Sequence, residues 1–437
     1  MKILSSKNIV LPDSGISVPC RFTRIVIVAL IVIGGLIVDI PSVSATGQSS
    51  ARSMAMGGAY ISLASGVDAA RYNPANLGLS GYRVNGIELI GVGICVANNS
   101  LSLNDYNNYT GAILSQTDKN DILGKIPSEG LHLIADVEAS ALSISLGSFV
   151  FSATGVGVAD FNLNKDILDL VLNGNRLGQD ISLTGSYSDA VAFVKTGLSY
   201  GRSVYTCGTR QLAVGATFKH LRGLALERIV ELDGEMSTET SGFKGAGRII
   251  ARTAGGGGGY GLDIGTALRL DDSYTVGLSF RNILSFINWD NNTREHGYLF
   301  SFDTVTIDNM EEDYIVSEDY EQDIDAFTTN LPSVMTIGVA NTSGALLWAV
   351  DWKQGFRRAA GASSEAHISA GMEWSLLRLL PLRAGLATGG AKGTRFSVGS
   401  GVNLSAFQLD LAMESGFSLK PVTTKNLNFA ISLRVNL

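Results

Sequence analysis

The stretch Leu427–Leu437, LNFAISLRVNL, decides the fold. Leu427, Phe429, Ile431, Leu433, Val435 and Leu437 fall on one side of an extended chain, and Asn428, Ala430, Ser432, Arg434 and Asn436 on the other. A strand has period two, so this segment has one wholly apolar face and one polar or small face. Eleven residues tilted at about 45° reach across a bilayer, for which roughly 9–11 are needed. The reading is a closing strand of an outer-membrane β-barrel; the last strand of a soluble sandwich is the competing interpretation.

The composition agrees with many short strands joined by tight turns. Of 437 residues, 45% are hydrophobic and only 17% charged, with 51 Gly against 8 Pro. Glycine reaches φ > 0 without steric cost, which tight turns exploit. The net charge of −7 argues against nucleic acid as a partner, since such proteins carry a basic stripe. Cys20 lies near the N-terminus, and Cys95 and Cys207 could pair in an oxidising compartment, but two distant cysteines do not make a framework.

Residues 1–45 read as a signal peptide. Arg21 and Arg24 precede the apolar run Ile25 to Val38, and Val43-Ser44-Ala45 supplies a small-x-small cleavage site. No Cys sits at the end of that run, so a lipid-anchored form is not expected. Residues 46–80 come next, rich in Gly, Ala and Ser and largely without alternation: GQSSARSMAMGGAYISLASGVDAARYNPANLG from Gly47. Ser65-Gly66 reads as a turn and Val67 to Tyr72 as a short helical piece. Asn73-Pro74 breaks that piece, because Pro disfavours the α region in the preceding residue. So small-grained a segment can pack tightly inside something but cannot build a core of its own.

Its phrases also resemble a known family. Ala51 to Tyr60 (ARSMAMGGAY), Asp68-Ala69-Ala70 and Asn73 to Leu77 (NPANL) are similar to the N-terminal hatch of the FadL/TodX superfamily, in the variant of the PorV and TraF-like barrels. Tyr260 to Gly265, Leu331-Pro332 ahead of Met335 to Gly338, and Val350-Asp351-Trp352 fit the same group. The resemblance implies an all-β fold, a transmembrane antiparallel barrel of about 14 strands with a small N-terminal hatch inside the lumen. It further implies either inward movement of long-chain fatty acids and other hydrophobic molecules, or a role as a partner in protein secretion.

Residues 81–437 are expected to form the barrel. Leu212, Val214, Ala216 and Phe218 alternate with Ala213, Gly215 and Thr217; Tyr274, Val276, Leu278 and Phe280 with Thr275, Gly277 and Ser279; Phe407, Leu409, Leu411 and Met413 with Gln408, Asp410 and Ala412. Each such segment is a weak signal alone, and the series is what counts. Two excursions interrupt it: Asp105 to Ile126, without strand pattern, and Lys165 to Gly178, where Ile167, Leu168, Val171 and Leu172 make one helical face that Gly174 ends. That helix is too short to span a bilayer and suits the membrane interface. The long connections 228–250 and 288–330 are expected as outer loops. The second is acidic from Asp308 to Asp325, without the Gly-bearing turn of a calcium loop.

No catalytic chemistry emerges. Gly255 to Gly259 lacks the Lys-Ser/Thr and helix of a phosphate loop. No nucleophile elbow is present, and His132, His220, His296 and His367 are scattered, without metal spacing. The expectation is therefore a non-enzyme with no cofactor, no metal and no catalytic residue.

The informative chemistry is the lumen face. With the apolar parity toward lipid, Lys195, Asp263, Arg269, Arg281, Asp351, Lys353, Glu373, Arg383, Asp410 and Arg434 point inward. Mixed charge in a narrow space must pair, because an unpaired buried ion costs several kcal/mol, roughly. That suits a lumen holding a hatch better than an ion-selective pore of one sign. Arg52, Asp68, Arg71, Asn73 and Pro74 are the hatch and lumen candidates. The function expected is passive uptake of hydrophobic small molecules, long-chain fatty-acid-like, across the outer membrane of a Gram-negative-type bacterium, with outer-membrane lipid around the wall. The alternative is a structural or secretion-associated barrel whose outer loops, with Tyr314 and Tyr320, grip a protein partner.

Overall fold

The structure, a computed structural model, describes residues 49–306, 315–356, 364–377, 379–390, 392–404, 406–416 and 423–437. The leader expected over residues 1–45 lies outside the described residues. Strands run in chain order as β1 Gly86–Asn98, β2 Leu131–Leu146, β3 Phe149–Leu163, β4 Asp180–Ser182, β5 Tyr187–Cys207 and β6 Arg210–Glu239. Then follow β7 Gly242–Ala254, β8 Gly256–Arg269, β9 Tyr274–Arg281, β10 Phe286–Asn291, β11 Arg294–Val305, β12 Ile315–Asp323 and β13 Phe327–Asn330. The chain ends on β14 Val334–Asn341, β15 Leu346–Gly355, β16 His367–Leu377, β17 Leu380–Gly389, β18 Arg395–Asn403, β19 Phe407–Gly416 and β20 Asn426–Asn436.

Strands β1, β2, β3, β5, β6, β8, β9 and β14 to β20 pair antiparallel, each with the next, and β20 pairs back onto β1 from Gly86↔Asn436 to Ala97↔Asn426. The ring of fourteen strands is therefore closed. Closure removes the edges that an open sheet would leave unpaired in hydrocarbon. The expected parity holds around the wall. On β20, Phe429 and Ile431 are exposed while Asn428, Ala430 and Ser432 are buried. On β19, Leu411 is exposed while Asp410 is buried. In a soluble sandwich the apolar members would be the covered ones. Leu411 is 52% exposed, so Leu411→Arg should cost about 2–4 kcal/mol if it lies near the bilayer midplane. The reading is a drop in the fraction of chain that reaches the heat-modifiable, folded form.

One end carries tight turns, as between β2 and β3, β5 and β6, and β8 and β9. Aromatic rings gather on the outer wall there, Phe149 on Tyr200 at 4.7 Å and Tyr274 on Trp348 at 6.2 Å, as at a membrane interface. The other end carries the long excursions. The stretch 105–126 forms two helices, Leu103–Tyr109 and Gln116–Lys125, each opened by a capping box, at Ser102 and Ser115. Lys165–Asn173 is the helix expected, closed by Gly174 at φ 69°.

The long connections differ from the loops expected. Residues 228–250 continue β6 and start β7 as one hairpin, and β11 and β12 extend it to a sheet beyond the barrel. The end of β6, from Glu231 to Glu239, sets Glu231, Asp233, Glu235, Ser237 and Glu239 on one face and Leu232, Gly234 and Met236 on the other, and it keeps its ladder to β7. Within 288–330, β10 runs along β8 and β13 along β10. The acidic stretch is likewise strand from Ile315 to Asp323. Arg294 reaches Asp323 at 3.4 Å and also bonds Glu321, and Tyr320 donates to Glu295. Asp308, Glu311, Glu312, Asp313 and Tyr314 lie outside the described residues. Cys95 is buried, Cys207 is exposed, and both are free thiols.

Candidate functional site: the hatch and the lumen above it

Residues 49–79 fill the barrel. Ser50 caps the helix Ala51–Ala55 by accepting from Ser53 N, a short 3₁₀ turn Gly66–Asp68 leads into the helix Ala69–Tyr72, and Asn73 caps the 3₁₀ turn Pro74–Gly78. Small side chains let this backbone touch the wall. The wall answers with glycines on the inward parity: at Gly371 and Gly385 a Cβ would strike the backbone of Met56 and Gly57, and at Gly215 it would come within 2.5 Å of Ala75 N. At Gly399 it would meet the Ala55 Cβ at 2.5 Å, and at Gly338 the Ile61 Cγ2 at 2.6 Å. Glycine is used here for close backbone approach.

Two charge clusters then fasten the hatch. In the first, Arg71 Nη1 donates to Asp68 Oδ1 at 3.1 Å and to Glu88 Oε2 at 3.0 Å, Arg71 Nη2 bonds Glu88 Oε1, and Arg71 Nη2 donates to Ser140 Oγ at 2.6 Å. Arg434 on β20 bridges the same acids, to Glu88 Oε2 at 3.0 Å and Asp68 Oδ1 at 2.8 Å. Ser50 and Tyr60 hydroxyls donate to Asp68 Oδ2 at 3.2 and 3.1 Å. In the second, Arg52 grips Glu373 through two bonds of 2.7 and 3.0 Å. Arg383 joins Glu373 to Asp410 at 2.6 and 2.7 Å. Each cluster holds two guanidinium groups and two carboxylates and is neutral, which is what burial demands. Asp351 adds a third anchor, accepting Tyr60 N and Ile61 N at 2.7 and 2.9 Å.

The five hatch candidates are thus placed. Arg52, Asp68 and Arg71 enter the clusters. Asn73 donates from Nδ2 to Thr266 O at 2.9 Å and accepts Ala75 N at 3.1 Å, and Pro74 lies against Gly201 and Gly215. Of the wall residues expected inward, Lys195 meets Glu138 at 3.3 Å and Asp263 meets Lys219 at 2.6 Å. Arg269 instead serves the short-turn rim, bonding Ser80 O at 3.2 Å and Asp272 at 3.0 Å.

Several residues of the hatch seat and the lumen escaped the sequence reading. Glu88 is inward only because the β1–β20 register shifts between Glu88 and Ile90; plain alternation from Gly91 would have turned Leu89 inward, and Leu89 is 42% exposed. Trp289 belonged to a supposed loop. It is fully buried against Gly223, donates to Thr329 Oγ1 at 2.9 Å, and joins Val156, Phe193, Leu221, Leu226, Ala254 and Ile287 in an apolar cluster. The alternation of Ile287 and Trp289 with Asn288 and Asp290 was the available signal.

Comparison with known proteins supports the fold. A model described as "Family of unknown function (DUF5723)" matches residues 74–246. No curated protein matches the chain. Among solved structures, the Ralstonia pickettii toluene transporter TbuX is similar, with TM-score 0.51 and 13% identity over 88% of this chain and 97% of that one. The P. putida toluene transporter TodX gives 0.50 and 12% over 88% and 97%, and the TodX deltaS2S3 mutant monoaromatic hydrocarbon channel 0.51 and 14% over 89% and 99%. At these identities the likeness is one of fold, that of the FadL/TodX-type outer-membrane barrel, and these neighbours carry the names of transporters and channels.

Proposed function

We propose that this chain is a passive outer-membrane channel for hydrophobic small molecules, in a Gram-negative-type bacterium, exported by a leader over residues 1–45. The observation that carries the reading is an apolar cluster in which Ile287 and Trp289 of β10 pack against Phe193 and Leu221, on inward positions of the ring strands β5 and β6, in a barrel that also holds a peptide hatch. These four side chains are buried against one another, so a cargo would reach them only as the cluster parts, gaining about 25 cal/mol per Å² of apolar surface it then covers. Arg52, Asp68, Arg71, Asn73 and Pro74 would hold the hatch between passages, and no energy source or catalytic group is invoked. The partner-binding alternative drew on the acidic stretch with Tyr314 and Tyr320; the described part of it, 315–323, is a sheet strand with Glu321 and Asp323 engaged by Arg294, which does not favour it over the channel.

The test is uptake by proteoliposomes. Purified protein should raise the initial rate at which toluene or dodecanol reaches a lumenal reporter above that of protein-free vesicles. Rates no higher than those of protein-free vesicles, for both compounds, would overturn the proposal.

A further inference from the structure

The apolar outer face of β6 ends in charge. Val214 and Phe218 are exposed there, and the next residues of the same parity, His220 and Arg222, are exposed too. From Gln211, at the tight-turn rim, the strand climbs eleven residues to Arg222. At about 3.3 Å per residue and a tilt of about 40° that is roughly 28 Å, close to the height of the apolar band of such a barrel. Aromatic rings mark the top of the band. Tyr260 of β8 lies opposite His220 with ring centroids 5.8 Å apart, and Phe218 stacks on Tyr260 at 5.7 Å. They answer the girdle at the tight-turn end, and Arg222 stands just beyond them, where lipid head groups begin.

The wall beside Arg222 is notched. Gly258 of β8 is its register partner, and Asn288 of β10 lies on the far side of Gly258. A Cβ at Gly258 would meet nothing within 4 Å. Arg222 and Asn288 therefore face each other across two strand spacings, about 10 Å, with no side chain between them. Among the described residues the Arg222 guanidinium has no ion pair or hydrogen bond. Thr328 donates to Asn288 Oδ1 at 3.1 Å, which leaves the two N–H donors of Asn288 Nδ2 without a partner among the described residues. The next acids up β6 and β10, Glu227 and Asp290, lie five and two residues farther from the hydrocarbon.

We propose that Arg222, Gly258 and Asn288 form a seat on the outer wall for the phosphate of an outer-leaflet lipid, whose acyl chains lie along the apolar wall below, over Tyr260 and Phe218. Arg222 and Asn288 Nδ2 present donors, phosphate oxygens accept, and the glycine supplies the room. The seat faces lipid and not the lumen, so it stands or falls apart from what the channel carries.

Native mass spectrometry of the full chain in nonionic detergent tests it, with dioleoyl phosphatidic acid, dioleoylglycerol and inorganic phosphate as probes. Phosphatidic acid should bind about tenfold tighter than dioleoylglycerol, the worth of one charge-assisted hydrogen bond. Arg222→Gln should remove that preference by removing the charge. Gly258→Val should remove it by filling the notch with the charge still in place. Arg202→Gln deletes an exposed cation opposite Val214, toward the tight-turn end, and should leave the preference intact. Arg222 is unbonded and a valine at 258 meets nothing, so both variants should assemble, as heat-modifiable migration checks. Equal binding of the two lipids, a preference that survives either notch variant, or an equal loss in Arg202→Gln would overturn the seat. So would displacement of the lipid by inorganic phosphate at the same concentration, or failure of both notch variants to assemble, which would contradict the open placement.

Discussion

Gly385→Val is expected to unseat the hatch and turn a stoppered barrel into an open pore. A Cβ at this position would overlap Gly57 N and Met56 C and come within 2.6 Å of Ser397 Oγ. Backbone atoms cannot rotate away as a side-chain end can, so the hatch or the strand must shift. Overpacking of this kind costs typically 1–3 kcal/mol, and occasionally more. The strand keeps its ladder to β16 and β18, because valine suits a strand. The barrel should therefore assemble with its leading segment displaced. In planar bilayers the variant should conduct where the parent is closed, and residues 49–79 should become open to protease. Gly258→Val is the control, since nothing lies within 4 Å of a Cβ there. Parent-like conductance and protection in Gly385→Val would refute the seating described here.

Arg71→Ala should loosen the hatch from its other side. Asp68 and Glu88 are both fully buried, and the substitution leaves them sharing Arg434 alone. Breaking a buried pair by removing one partner costs about 3–5 kcal/mol, because a buried charge is left uncompensated. Amides of the segment Ala69–Tyr72 should then exchange with solvent faster by two orders of magnitude or more, roughly the factor those energies imply. Wall amides of β17 and β18 should not change. Arg71→Lys should recover only part of the loss, since one ammonium cannot bridge Asp68, Glu88 and Ser140 in the forked geometry of a guanidinium. Unchanged exchange in Arg71→Ala would show that close packing, and not charge, holds this segment.

These two expectations draw on different kinds of information. The inward place of Arg383, Asp410 and Arg434 was legible from alternation, because in a strand every second residue shares a face. So was the nature of residues 46–80, because a run of Gly, Ala and Ser cannot form a core and must be packed by something else. The partners were not legible. Arg52 meets Glu373 and Asp68 meets Arg434 across more than three hundred residues, and many inward carboxylates were equally eligible. Glu88 was hidden by a bulge that reverses parity, and Trp289 by a strand that continues past the rim in what read as a loop.

What the amino-acid order determined alone was the local and the periodic: strands with one greasy face, a small-grained leading segment, and a lumen of both charge signs. Each follows from side-chain spacing along an extended backbone and needs no knowledge of neighbours. Only the closed barrel decided which charges neutralise one another and which glycines admit the hatch backbone. Those outcomes depend on strand register and shear, which bring together residues far apart in the chain and are set by the whole ring at once.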